Sequence, residues 1–158
     1  MKAIAQSIAE FKQHWRNYIL QSVAAMLTFA VILVCQPNVI VIASMAATTF
    51  IIFAMPTIIT AQPRNVIGGQ FVGLLCGSVC SFIPHEAIWM KVLVYSFVVG
   101  ITMFVMVITD TEHPPAAATA LGFASKGYSF ETAYILMGSV LILSLIHRLL
   151  KRHLRDLT

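Results

Sequence analysis

Two short runs of this chain bring polar side chains, proline and small residues together in the same order. They read Ala61-Gln62-Pro63-Arg64-Asn65-Val66-Ile67-Gly68-Gly69 and Thr111-Glu112-His113-Pro114-Pro115-Ala116-Ala117-Ala118-Thr119-Ala120-Leu121. Proline fits the first turn of a helix, where an N–H would have no partner, so each run reads as a helix start. Such a start carries free N–H groups and partial positive charge, and at membrane depth it suits a small anion. The residues expected to bind substrate are Gln62, Arg64 and Asn65 at the first start. At the second they are Asp110, Thr111, Glu112, His113, Pro114 and Thr119. Two roles are open to His113: binding the anion or passing a proton, with Asp110 or Glu112 setting its charge. The same run also reads as an interfacial loop in which Asp110 or Thr111 caps the helix. Arg64, alone between Arg16 and Lys91, is either a substrate-binding guanidinium or an anchor at the membrane surface.

Other chemistry has no apparatus. The chain carries no nucleophile elbow, phosphate loop, paired zinc spacing or haem attachment signature, so it does not read as an enzyme and calls for no cofactor. Asp110, Glu112 and His113 fit no familiar metal spacing, and no metal is expected. The three cysteines, Cys35, Cys76 and Cys80, pair with nothing in sequence and sit in apolar runs as small hydrophobes.

These runs interrupt a chain of 158 residues that is 59% hydrophobic and only 10% charged, where a soluble domain carries about a quarter charged residues. Too few polar residues remain to coat a core, so the outer surface must face lipid. The formal charge of +4 does not mark a nucleic-acid binder, because the basic residues gather at the ends: Lys2, Lys12 and Arg16, then Arg148, Lys151, Arg152 and Arg155. Residues 1–17 therefore read as a basic segment, 18–147 as the membrane domain, and 148–158 as a basic tail, with both ends cytoplasmic. No cleavable or Arg/Ser-rich leader is evident, which favours a bacterial inner membrane.

Five apolar stretches approach the length of a spanning helix: Tyr18 to Val34, Val39 to Ile59, Val66 to Ile83, Trp89 to Ile108, and Phe130 to Ile146. Gln36-Pro37-Asn38 separates the first two, and Pro84-His85-Glu86 opens a solvated loop before the fourth. Two cytoplasmic ends require an even number of crossings. The expected fold is an all-α polytopic transmembrane bundle with four crossings plus re-entrant or broken helices; six crossings are the alternative. The second stretch is expected to be irregular, because Ala43-Ser44-Met45-Ala46-Ala47-Thr48-Thr49 and Pro56 suit a protein-buried backbone. The Pro114 to Ala124 stretch fits a half-helix ending inside the membrane. Gly69, Gly73, Gly77 and Ser81 recur every four residues and share one helix face, a seam for a neighbouring helix or for a second copy of the chain.

In these motifs the sequence resembles the HPP family of integral membrane proteins, named for the tripeptide found here as His113-Pro114-Pro115. The likeness also includes Ser44-Met45-Ala46-Ala47, the run from Ala61 to Gly69, and the continuation Ala116 to Leu121. It implies four membrane-spanning helices, and a role in nitrite transport by analogy with some plant chloroplast and cyanobacterial relatives. The chain departs from the usual pattern at Gln70, where histidine often follows the paired glycines, and at Ala46 and Ala117, where glycine is common. The expected partners are the lipid bilayer, a small anion such as nitrite, and a second copy of the chain in a homo-oligomer. A non-transporting assembly or receptor module packing through Gly69, Gly73 and Gly77 is the competing expectation.

Overall fold

Apolar runs bounded by proline, asparagine and charge become six α-helices in the computed structural model, which describes residues 2–36 and 38–157, with only the backbone at 2–7 and 9. The helices are α1 (Lys2–Cys35), α2 (Val39–Ala54), α3 (Pro63–Cys80), α4 (Ile88–Ile108), α5 (Pro115–Lys126) and α6 (Phe130–Leu150), with a 3-10 turn at Ile59–Ala61. Glu10–Cys35, Ile88–Ile108 and Phe130–Leu150 are each long and apolar enough to cross a membrane, and Val39–Ala54 is a shorter apolar helix. Pro37 of the first break lies outside the described residues, as do Met1 and Thr158 of the terminal segments.

Local chemistry sets the helix ends. Asn38 caps α2, its side-chain oxygen accepting from the Ile40 and Val41 amides at 3.0 and 3.3 Å. Ser129 caps α6 through the Thr132 amide. Gly127, at φ +81, closes α5 in a conformation that side chains rarely adopt. Helix α1 runs through the basic segment 1–17 with a kink at His14 (φ −125, ψ 21).

Successive connections fall at opposite ends of the bundle. At one end the tail amide of Leu157 donates to the Ala54 carbonyl at 2.8 Å, Lys151 reaches Gln62, and Arg64 meets Asp110. At the other, Asn38 lies beside Gly122, and Cys80 packs with Val94 and Ala124. The chain path therefore alternates between the two ends, with three helices long enough to span and short helices between them. α2 and α5 are short, about 24 Å and about 18 Å at 1.5 Å per residue, against about 30 Å of hydrocarbon.

The second stretch, Val39 to Ile59, is irregular past Ala54 as expected, and its hydroxylated run is regular helix. Helix α2 is continuous to Ala54, and Pro56 sits beyond it in the connector 55–62. The hydroxylated run does face protein, with Ser44, Thr48 and Thr49 buried. The outer surface is apolar, with Leu20, Val31, Phe97, Phe104 and Leu145 among its exposed side chains, as a lipid-facing bundle requires. Short α5 is enclosed by α2, α3 and α4 and carries the chemistry described next.

Candidate functional site

His113 closes the turn between α4 and α5. The Thr111 amide bonds back to the Met106 carbonyl at 2.9 Å, and the two prolines that follow fix the backbone, driving the imidazole inward until none of it is exposed. Its Nδ1 lies 2.9 Å from the Thr60 carbonyl and so carries a proton, which it donates there. Its Nε2 lies 2.9 Å from Thr48 Oγ1.

Beyond Thr48 the polar contacts continue into the bundle. Gln70 Nε2 donates to Ser44 Oγ at 3.1 Å and to Thr48 Oγ1 at 3.0 Å, while Gln70 Oε1 accepts from the Thr119 hydroxyl at 2.6 Å. Ser44 Oγ is 2.7 Å from Thr119 Oγ1 and donates to the Pro115 carbonyl at 2.6 Å. Three helices supply the cluster: α2 gives Ser44 and Thr48 one turn apart, α3 gives Gln70, and α5 gives Thr119. Each side chain is at most 1% exposed. A buried polar group left unpaired costs about 1–3 kcal/mol, and here each is bonded. The cluster carries donor protons on Ser44, Thr48, Gln70, Thr119 and His113 and holds no carboxylate, so no negative charge there repels an anion.

Of the expected substrate residues, only His113 and Thr119 converge here. Arg64 stands on the rim instead: its Nη1 is 2.8 Å from Asp110 Oδ2, the two side chains are 66% and 63% exposed, and Nη2 reaches the Thr109 carbonyl at 3.3 Å. This is the anchor reading of Arg64, not the guanidinium on a buried substrate. An exposed pair of this kind contributes about 0–1 kcal/mol, so Arg64→Ala is expected to leave the thermal midpoint within a few degrees of the parent. A larger drop in a thermal-shift assay would show that the pair is structural.

Of the remaining expected residues, only Asn65 joins the two helix starts to each other. Asn65, buried, donates to the Glu112 carbonyl at 3.2 Å, and Thr111 Oγ1 sits 2.8 Å from Thr109 Oγ1. Gln62 accepts from Lys151 at 3.0 Å, and Pro114 is exposed. The second helix start also lacks the open amides expected of it. Pro114 and Pro115 have no N–H, and the Ala116 and Ala117 amides donate to the His113 and Pro114 carbonyls at 2.9 and 3.1 Å. At α3 the first helical bond runs from Val66 to the Gln62 carbonyl, which leaves only the Arg64 and Asn65 amides over. Side chains, not backbone amides, are the donors at the centre. Asp110 turns to Arg64 while His113 turns inward, and among the described residues no three His, Cys, Asp or Glu side chains converge as metal ligands.

The sequence reading did not single out Ser44, Thr48 and Gln70 as site residues. Their signal is two hydroxyls four residues apart inside an apolar run, and one amide on the glycine-bearing helix.

The glycine face is occupied within the chain. A Cβ added at Gly73 would strike the Ala116 carbonyl, one at Gly77 the Ala120 carbonyl, and one at Gly69 the His113 side chain. This close approach of α3 and α5 seats the His113 turn against Gly69. Of the two readings of the Gly69, Gly73 and Gly77 face, a neighbouring helix of the same chain is the one observed, since α5 covers these glycines and leaves them no room for a second copy. Ser81 only closes the end of α3, its hydroxyl bonded to the Ser78 carbonyl at 2.7 Å.

Residues 10–154 match the family model described as HPP, transmembrane region. A transmembrane protein of Dictyostelium discoideum is 33% identical over 110 residues, 66% of this chain. The matched stretch spans 39% of that relative's length. No solved structure matches the chain.

Proposed function

This chain belongs to the HPP transmembrane family, and on that footing we propose that it carries a small anion, nitrite foremost, across the bilayer. The observation that carries the reading is the buried cluster of His113, Thr48, Ser44, Gln70 and Thr119 in the middle of a lipid-facing bundle. Polar groups inside a membrane protein are costly, and where they persist they mark solute and proton paths. On this reading an entering anion takes over donors that Ser44, Thr48, Gln70 and Thr119 otherwise give to one another and to nearby carbonyls, and the absent carboxylate removes the group that would repel it.

The route on this reading enters at the basic end, beside Lys151 and the Arg64–Asp110 pair, and passes beneath the connector 55–62 to His113. Positive side chains there raise the local anion concentration. Arg148, Lys151, Arg152 and Arg155 cluster at that end, which supports placing it on the cytoplasmic side. Cys35 is exposed and lies at the far end. A membrane-impermeant maleimide added to intact cells is expected to label Cys35 and to spare a cysteine substituted for Arg152. The opposite pattern inverts the orientation.

Purified protein in liposomes is expected to admit nitrite, with Ser44→Ala/Thr48→Val lowering the flux about tenfold or more. The double variant removes two buried hydroxyls, each worth about 1–3 kcal/mol, while keeping nearly the same volume. No flux above protein-free liposomes from well-folded parent protein would sink the transport reading. An assembly module using the glycine face has less support, because α5 fills that surface.

A further inference from the structure

Thr48 has one hydroxyl proton and two acceptors within reach: the Ser44 carbonyl at 3.0 Å and His113 Nε2 at 2.9 Å. The Thr60 carbonyl fixes the first imidazole proton on Nδ1, so in the neutral ring Nε2 can only accept. The hydroxyl then serves the ring or the carbonyl, not both. A second proton, placed on Nε2, removes the conflict: the ring donates to Thr48 Oγ1, and Thr48 donates to Ser44. Gln70 donates to the same oxygen in either state, which uses one hydroxyl proton and two lone pairs with no heavy atom displaced. The cluster accommodates His113 both neutral and protonated.

Among the described residues, no charged side chain hydrogen-bonds to His113 or to its immediate partners. The side chains facing His113 or its immediate partners are Ser44 and Thr48 from α2, Gln70 from α3 and Thr119 from α5, with the Thr60 backbone from the connector, and all are neutral. The nearby charges Arg64 and Asp110 neutralise each other on the rim, while the Glu112 carboxylate, next to His113 in sequence, makes no hydrogen bond to the imidazole, and its backbone carbonyl accepts from Asn65. A lone imidazolium here is unfavourable, as is a lone anion; together they cancel.

Building on the anion reading above, we infer that the proton is the coupling ion. His113 Nε2 takes one proton from water on the entry side with each anion bound. It returns that proton to water when the anion leaves on the far side, so one anion and one proton cross together with no net charge.

Three measurements test this on the full-length protein, with nitrite as the probe. In liposomes, an acidic exterior is expected to drive nitrite accumulation, whereas a potassium-diffusion potential is not. His113→Gln, which keeps a donor for Thr60 and cannot be protonated, is expected to lose the response to the pH gradient. In histidine-labelled parent protein, nitrogen NMR is expected to show His113 gaining its second proton at a higher pH with nitrite than without, since coupling is reciprocal. Flux that follows membrane potential and ignores the pH gradient overturns proton coupling and leaves the anion route standing. A His113 signal indifferent to nitrite overturns it too, even if the glutamine variant fails to fold. Absence of nitrite flux and nitrite binding removes the route, and the coupling with it.

Discussion

Gly73→Leu is expected to abolish the folded protein, whereas Gly138→Leu is expected to leave it intact. Both glycines lie on helices, but nothing stands within 4 Å of a Cβ at Gly138, while one at Gly73 collides with the Ala116 carbonyl. A carbonyl in the first turn of α5 cannot rotate aside as a side chain would. Relief requires α3 and α5 to move apart, which opens the packing around His113 and Gln70 as well. Overpacking costs about 1–3 kcal/mol even where side chains can adjust, and a backbone collision lies at or beyond the upper end of that range. Against a typical total of about 5–15 kcal/mol, with several buried hydrogen bonds lost besides, Gly73→Leu should give no monodisperse peak on size exclusion. Gly73→Leu running and melting like the parent would mean that the α3–α5 contact is not as close as the structure has it. Oligomer loss with an intact monomer would instead restore the glycine face as a seam between copies.

Much of this architecture is legible in the residues. The apolar stretches after Trp89 and Phe130 coincide with α4 and α6 to within a few residues at their starts and ends, because charge, proline and loop polarity mark those boundaries. Pro63 and Pro115 do open helices, as proline in a first turn should. The spacing of Gly69, Gly73 and Gly77 announces a close helix contact, but periodicity cannot say which helix fills it. That depends on α5, whose own run of alanines is as small as the face it meets.

The site itself was only half visible, for a related reason. Arg64 and Asp110 draw the eye because they are charged, yet charge is what keeps them on the rim, where water solvates them. The side chains that meet at the centre are uncharged and scattered over separate helices, from Ser44 to Thr119. Their identity as a group exists only after α5 has been pressed into the fork between α2 and α3. The proline pair misleads in the same way. It marks a helix start correctly, and by removing two N–H groups it closes the start it marks.

Gln70 is where the largest functional effect is expected. Its amide is used at both ends, donating to Ser44 and Thr48 and accepting from Thr119, so it decides the direction of each neighbouring hydroxyl. Gln70→Glu keeps the size and removes both donors. If charged, the carboxylate needs protons from Ser44 and Thr48, which would have to give up the Pro115 and Ser44 carbonyls. A charge buried without a partner costs about 3–5 kcal/mol, so the variant should melt well below the parent or stay protonated. In either state it loses donors from the cluster, and when ionised it repels an anion outright; nitrite flux is expected to fall about a hundredfold or more. Gln70→His separates chemistry from stability, because imidazole still offers one donor and one acceptor at the position where the family often carries histidine. That variant is expected to fold, retain measurable flux and differ from the parent in its preference among small anions. Equal nitrite flux in the parent and in folded Gln70→Glu would show that the anion never meets this cluster, and the route would have to be sought along another face of the bundle.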